Sequence, residues 1–201
     1  MTSHYLDCRL TVTAEDTHFM FARLYKVAHG IIGKNSALNI GLSFPEYDEG
    51  RLGEILRFFA DEKTLISVRQ NEGLAVLQDC EIIRLGDIKK TPETYQSVCF
   101  YRNRLSERLS TKNQSKRYKS LKQHIEKKGE VFNGEDKPLR LERLQQQINN
   151  NAQYIQFTSH STGFNYSLSI IKSNSKENRN GLYNSYGLGK KANGTTVPFG
   201  F

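Results

Sequence analysis

Short apolar runs of strand period and longer runs of helical period follow one another in a fixed order over about the first 90 residues: strand, helix, strand, strand, helix, strand. "HYLDCRL" (4–10) alternates as a strand, and residues 15–29 carry Phe19, Leu24, Val27 and Ala28 at helical spacing. "LNIGLSF" (38–44) is a strand stopped by Pro45, and "GEILRFFA" (53–60) reads as its antiparallel neighbour. Residues 62–78 predict a second helix through Leu65, Ile66, Leu74, Val76 and Leu77, with Gly73 against it, and "EIIRL" supplies the next strand. That order is the ferredoxin-like (RRM-like) α+β sandwich.

The pattern changes after the strand "SVCFYRN" (97–103). From residue 106 a polar helix is predicted, with Tyr118, Leu121 and Ile125 as its apolar stripe and Lys112, Lys116, Lys119, Gln123 and Lys127 opposite. A loop (129–138) leads to a helix capped by Asp136, entered through Pro138 and carrying Leu141, Leu144 and Ile148. The remainder predicts short strands at "YIQFT", "NYSLSII" and "GLYNSYG", with a mobile polar loop at 172–180. The expected organisation is a ferredoxin-like domain at 1–95 and a C-terminal α+β domain at 96–201, two small units sharing one core.

Charge is unevenly distributed along the chain. The net charge is +8, and residues 101–128 alone hold ten basic against two acidic side chains, an excess equal to that of the whole molecule. A neutral body carrying one positive element predicts a polyanionic partner, because each phosphate neutralised releases counterions. A charge run can also be a solvated face. Arg102 and Arg104, separated by one residue at a strand end, would point the same way and suit bidentate contacts to guanine.

Other classes are excluded. No run approaches a membrane span, and "MTSHYLDCRL" lacks a charged segment followed by an apolar one, so a soluble cytoplasmic protein is expected. Cys8, Cys80 and Cys99 provide neither a disulfide framework nor a metal knuckle, and the five histidines lack helical metal spacing; no metal or other cofactor is expected. Neither "NSYGLGKK" nor "IIGKNS" matches G-x-x-x-x-G-K-S/T, which argues against a nucleotide-hydrolysing motor.

Two segments hold chemistry. In "VAHGIIG" (27–33), His29 stands at the expected helix end with Gly30 as C-cap. A lone histidine beside an apolar stripe is commonly a core or boundary residue; at an edge it can serve as a base. "FTSHSTGFNYSLSI" reads as a hairpin with Ser159, Ser161 and Thr162 in its turn, or as a site where these hydroxyls donate to phosphate or ribose and Tyr166 stacks on a base.

The opening "HYLDCRL", then "GLSFPEYDE" with "RLGE", "SHSTG" with an aromatic three residues on, "YGLGK" and the terminal "VPFGF" resemble, in the same order, the CRISPR-associated repeat endoribonucleases of subtype I-F. The resemblance implies a metal-independent RNase that recognises the stem-loop of a CRISPR repeat, cuts pre-crRNA at the hairpin base and retains the crRNA. Its other partners would be subunits of a subtype I-F RNA-guided surveillance complex.

By the same resemblance the catalytic residues fall on His29, Ser159 and Tyr186. The resemblance also places RNA contacts on Arg102, Arg104, Ser161, Thr162 and Tyr166, and the basic segment adds Arg108, Lys112, Lys116, Arg117 and Lys119 as RNA-binding residues. In the implied reaction the ribose 2′-OH attacks the adjacent phosphorus, giving 2′,3′-cyclic phosphate and 5′-hydroxyl ends. An imidazole suits the base role because histidines, with an ordinary pKa of about 6.5, are largely neutral near pH 7. The basic helix departs from the family in relying on lysine, with Ser120 and His124 where arginines are expected; lysine grips phosphate but reads bases poorly. An inactive RNA-hairpin-binding subunit of a ribonucleoprotein complex is the alternative.

Overall fold

A computed structural model describes residues 3–13, 15–34, 36–48, 51–103, 119–120, 122–129, 131, 153–158, 165–191 and 194–201. β1 (His4–Leu10) is followed by α1 (Thr17–Lys34), β2 (Gly41–Ser43), β3 (Ile55–Ala60), α2 (Glu62–Arg69), α3 (Glu72–Asp79), β4 (Ile83–Leu85) and β5 (Lys89–Lys90). The strands form an antiparallel sheet in the order β2-β3-β1-β4, with β5 also on β1. That order, with a helical crossover after β1 and after β3, is the ferredoxin-like arrangement expected from the sequence. The alternation of β1 buries Leu6, Cys8 and Leu10.

β6 (Gln96–Arg102), β7 (Gln153–Thr158), β8 (Asn165–Ser175) and β9 (Val197–Phe199) build a second antiparallel sheet in the order β7-β8-β6-β9. The chain is therefore mixed α+β. One hydrophobic core runs between the sheets: Leu42, Phe44 and Phe58 belong to the same buried cluster as Val98, Phe100, Leu168 and Ile170, and Phe44 meets Phe100 edge-on at 4.9 Å.

Several elements differ from those expected. α1 does not stop at His29; Ile31 and Ile32 return to the core, 5% and 3% exposed, and their burial carries the helix through Gly30 to Lys34. Gly30 and Gly33 both lie inside the helix without positive φ, so neither glycine is a cap. Phe19, expected on the apolar stripe, is 63% exposed. Leu38 lies in a 3-10 turn (Ser36–Leu38) ahead of a β2 shorter than expected.

The predicted helix 62–78 is two helices, because Asn71 takes extended backbone and caps α3 by accepting from the Gly73 N–H. Gly73 allows close helix packing, since a Cβ there would lie 2.9 Å from Val27 Cγ1. In the second sheet, β8 continues to Ser175, taking in the first part of the loop expected at 172–180. Residues 181–187 are turn and coil, not a strand.

Residues 119–120 and 122–127 are helical, with Ile125 half-buried, the other described residues of this run exposed, and Lys122 paired with Glu126 at 3.7 Å. The rest of the basic helix and the helix expected at 138–148 lie outside the described residues.

Candidate functional site

Tyr25 and His29 are one helical turn apart on α1 and share a face. Both reach the segment 184–189, more than 150 positions away in sequence. The buried Tyr25 hydroxyl donates to the carbonyl of Tyr186 at 3.0 Å, and His29 Nδ1 lies 2.7 Å from the carbonyl of Ser185. A carbonyl oxygen only accepts, so Nδ1 carries the hydrogen and the neutral ring has its lone pair on Nε2. The half-buried His29 ring stacks on Tyr186, centroids 4.5 Å apart and planes 4° apart.

Segment 184–189 is held from two sides. On one, Leu42 N–H of β2 donates to the carbonyl of Gly187 at 2.7 Å. On the other, Gly189 N–H donates to the carbonyl of Phe100 in β6 at 2.8 Å. Gly187 has φ +71, and a Cβ there would lie 2.5 Å from Leu42 Cγ and 2.8 Å from Ile32 Cδ1. Positive φ and the close approach together demand glycine. Nearby, Tyr183 donates its hydroxyl to the carbonyl of Thr196 at 2.7 Å, and burial pushes its phenol pKa up, so it remains a donor.

The bond from Gly189 to β6 brings the end of that strand alongside. Arg102, its last residue, donates from Nη1 to the Tyr186 hydroxyl at 3.2 Å, and its guanidinium carbon lies 5.1 Å from the ring centroid. Three of the residues singled out from the sequence, His29, Tyr186 and Arg102, thus form one cluster. When the ring is neutral, the arrangement offers Nε2 as a proton acceptor beside a positive group suited to phosphate or a purine edge.

The remaining expectations lie elsewhere. β7 and β8 pair as far as Thr158 with Asn165, the hairpin expected there, while Ser159, Ser161 and Thr162 fall outside the described residues. Tyr166 has its backbone in β8 opposite Phe157; its side chain is outside the description. Arg104, Arg108, Lys112, Lys116 and Arg117 are also outside it, and Lys119 is exposed on the helical run. Among the described residues, no three or more His, Cys, Asp or Glu gather as a metal site, and no helix is long and apolar enough to cross a membrane.

Tyr25, Asn184 and Ser185 were not singled out from the sequence. Tyr25 had a signal in its spacing of four from His29, and Asn184 one in its place before a turn containing glycine. Ser185 acts through its backbone and had none.

The family model described as CRISPR-associated protein (Cas_Csy4) matches residues 5–199, the family the motifs resembled. No curated protein matches the chain.

Proposed function

The chain belongs to the Cas_Csy4 family of CRISPR-associated proteins and is a CRISPR repeat-processing endoribonuclease; from that premise we propose that it cuts without a metal, with His29 as general base. The supporting observation is the bond from His29 Nδ1 to the Ser185 carbonyl, which leaves the lone pair on Nε2. Nε2 removes the proton of the ribose 2′-OH at the cut, the 2′-oxygen attacks phosphorus in line, and the 5′-oxygen leaves with a proton from solvent. The products are a 2′,3′-cyclic phosphate and a 5′-hydroxyl. The nucleophile belongs to the RNA, so the protein needs only to orient it and accept its proton.

Ser159 holds the 2′-OH, and Tyr186 keeps the imidazole in plane. Arg102 and Arg104 contact bases beside the cut. Arg108, Lys112, Lys116, Arg117 and Lys119 grip the hairpin phosphates, while Ser161, Thr162 and Tyr166 hold the nucleotides of the reaction centre. The division falls near residue 95, with the basic element in the second half. The cleaved hairpin stays bound as part of a cytoplasmic surveillance complex, because the grip on the stem is independent of the cut.

The test is incubation with a repeat stem-loop RNA in EDTA, beside the same RNA with one 2′-deoxy nucleotide at the cut and beside His29→Ala. Cutting of the all-ribose RNA alone, abolished in the variant, is expected. Binding of both RNAs with no cutting would overturn the assignment of His29 and leave an RNA-hairpin-binding subunit.

A further inference from the structure

The bond that sets the His29 tautomer comes from a backbone carbonyl, which no substitution of Ser185 removes. Its position depends on the shape of residues 184–189, whose strand pairing is a single parallel bridge of Gly189 to Tyr101. One side chain joins most of that turn. Asn184 Oδ1 accepts from the N–H of Tyr186 at 2.8 Å and of Leu188 at 3.3 Å, and its Nδ2 donates to the carbonyl of Gly189 at 3.3 Å. Its backbone N–H donates to Leu188 and its carbonyl accepts from Gly187, each at 2.9 Å.

Resting on the reading of His29 as general base, we propose that Asn184 is a positioning residue: it holds the Ser185 carbonyl against His29 Nδ1 and the Tyr186 ring against the imidazole, and so selects the tautomer that can act as base. The chemistry of the side chain supports this. Only a carboxamide presents an acceptor to two N–H groups and a donor to a carbonyl from one planar group. Aspartate keeps the acceptor but faces the Gly189 carbonyl with an oxygen, and alanine keeps neither. The anchors on either side, Leu42 to Gly187 and Gly189 to Phe100, hold residues 187 and 189. Between those anchors and His29, the main chain of Tyr186 is braced on its N–H by the Asn184 amide and on its carbonyl by the Tyr25 hydroxyl, so Asn184 fixes the peptide that carries the Ser185 carbonyl.

The test has two readouts. In the RNA-free protein, long-range proton–nitrogen NMR of labelled histidine reads the tautomer of neutral His29. The wild type is expected as the Nδ1–H form, Asn184→Ala as a mixture, and Asn184→Asp between them. In single-turnover cleavage, Asn184→Ala is expected to lose about ten- to a hundredfold in rate, with hairpin affinity within about threefold, because the groups displaced touch the reaction and not the stem. A folded Asn184→Ala that keeps the Nδ1–H form and the wild-type rate overturns the proposal, as does a wild-type His29 in the Nε2–H form. Should Asn184→Ala fail to fold, the wild-type tautomer and the Asn184→Asp rate decide it. His29→Ala run alongside separates the two ideas: cutting retained there overturns the base assignment itself.

Discussion

The rings of His29 and Tyr186 stack nearly parallel, their planes 4° apart and their centroids 4.5 Å apart, although one belongs to a long helix and the other to a turn far along the chain. A flat aromatic face limits the imidazole to rotation in its own plane, and the Ser185 carbonyl stops that rotation.

This division of labour separates two substitutions at Tyr186. Tyr186→Phe keeps the stack and loses the hydroxyl that accepts from Arg102, so cleavage should fall by less than about tenfold. Tyr186→Ala removes the face and should cost about a hundredfold, with hairpin binding little changed. Single-turnover rates beside a binding titration check the pair; equal losses would contradict the stacking role.

Gly187 carries the turn where no other residue fits. Alanine there adds left-handed strain and drives a methyl into Leu42 and Ile32, a combined cost of about 2–4 kcal/mol. Calorimetry should show a melting temperature lower by about 5–10 °C, and the cleavage rate should fall with it.

Away from the site, Arg57 is 5% exposed and makes a two-point pair with Asp7, at 2.6 and 2.9 Å, while donating to the carbonyl of Phe201 at 3.0 Å. The rings of Tyr5 and Phe201 lie 4.3 and 4.5 Å from its guanidinium carbon. Asp7→Ala strands a buried cation and should destabilise by about 3–5 kcal/mol in urea unfolding. Adding Arg57→Met should recover much of that loss, because the cation goes with its partner.

Asp61 caps α2 and accepts from the backbone N–H of Thr64 at 3.0 Å and from its hydroxyl at 2.7 Å. These bonds, the backbone one first, hold its carboxyl below its ordinary pKa of 3.8. A depressed folded-state pKa stabilises above the unfolded value and is lost as pH falls through the folded one. Asp61→Ala should cost about 1 kcal/mol at pH 7, as loss of an N-cap side chain does, and the gap to wild type should narrow as acid protonates the carboxylate. Urea midpoints at pH 7 and at strongly acid pH check it.

Much of the framework was legible because its signals are local. The alternation of Leu6, Cys8 and Leu10 declares a half-buried strand, and the succession of elements implies the sheet order. Where two local signals competed, tertiary burial decided. Gly30 looks like a helix end until Ile31 and Ile32 find the core, and residues 181–187 alternate like a strand yet serve as a braced turn. Asn71, read as part of one helix, caps the second of two.

The sequence by itself determined the family, the α+β class, the basic element and the histidine on which the chemistry is proposed to turn, since each depends on residue type and short spacing. Only the tertiary structure decided which nitrogen of His29 faces the Ser185 carbonyl, which ring it rests on, and that Arg102 stands beside Tyr186. Those facts depend on contacts between residues far apart in the chain, formed where α1, β6 and the turn at 184–189 converge on one core. Side-chain periodicity describes what an element buries, but the partner on the far side of a contact is selected by packing and hydrogen-bond geometry across the whole fold.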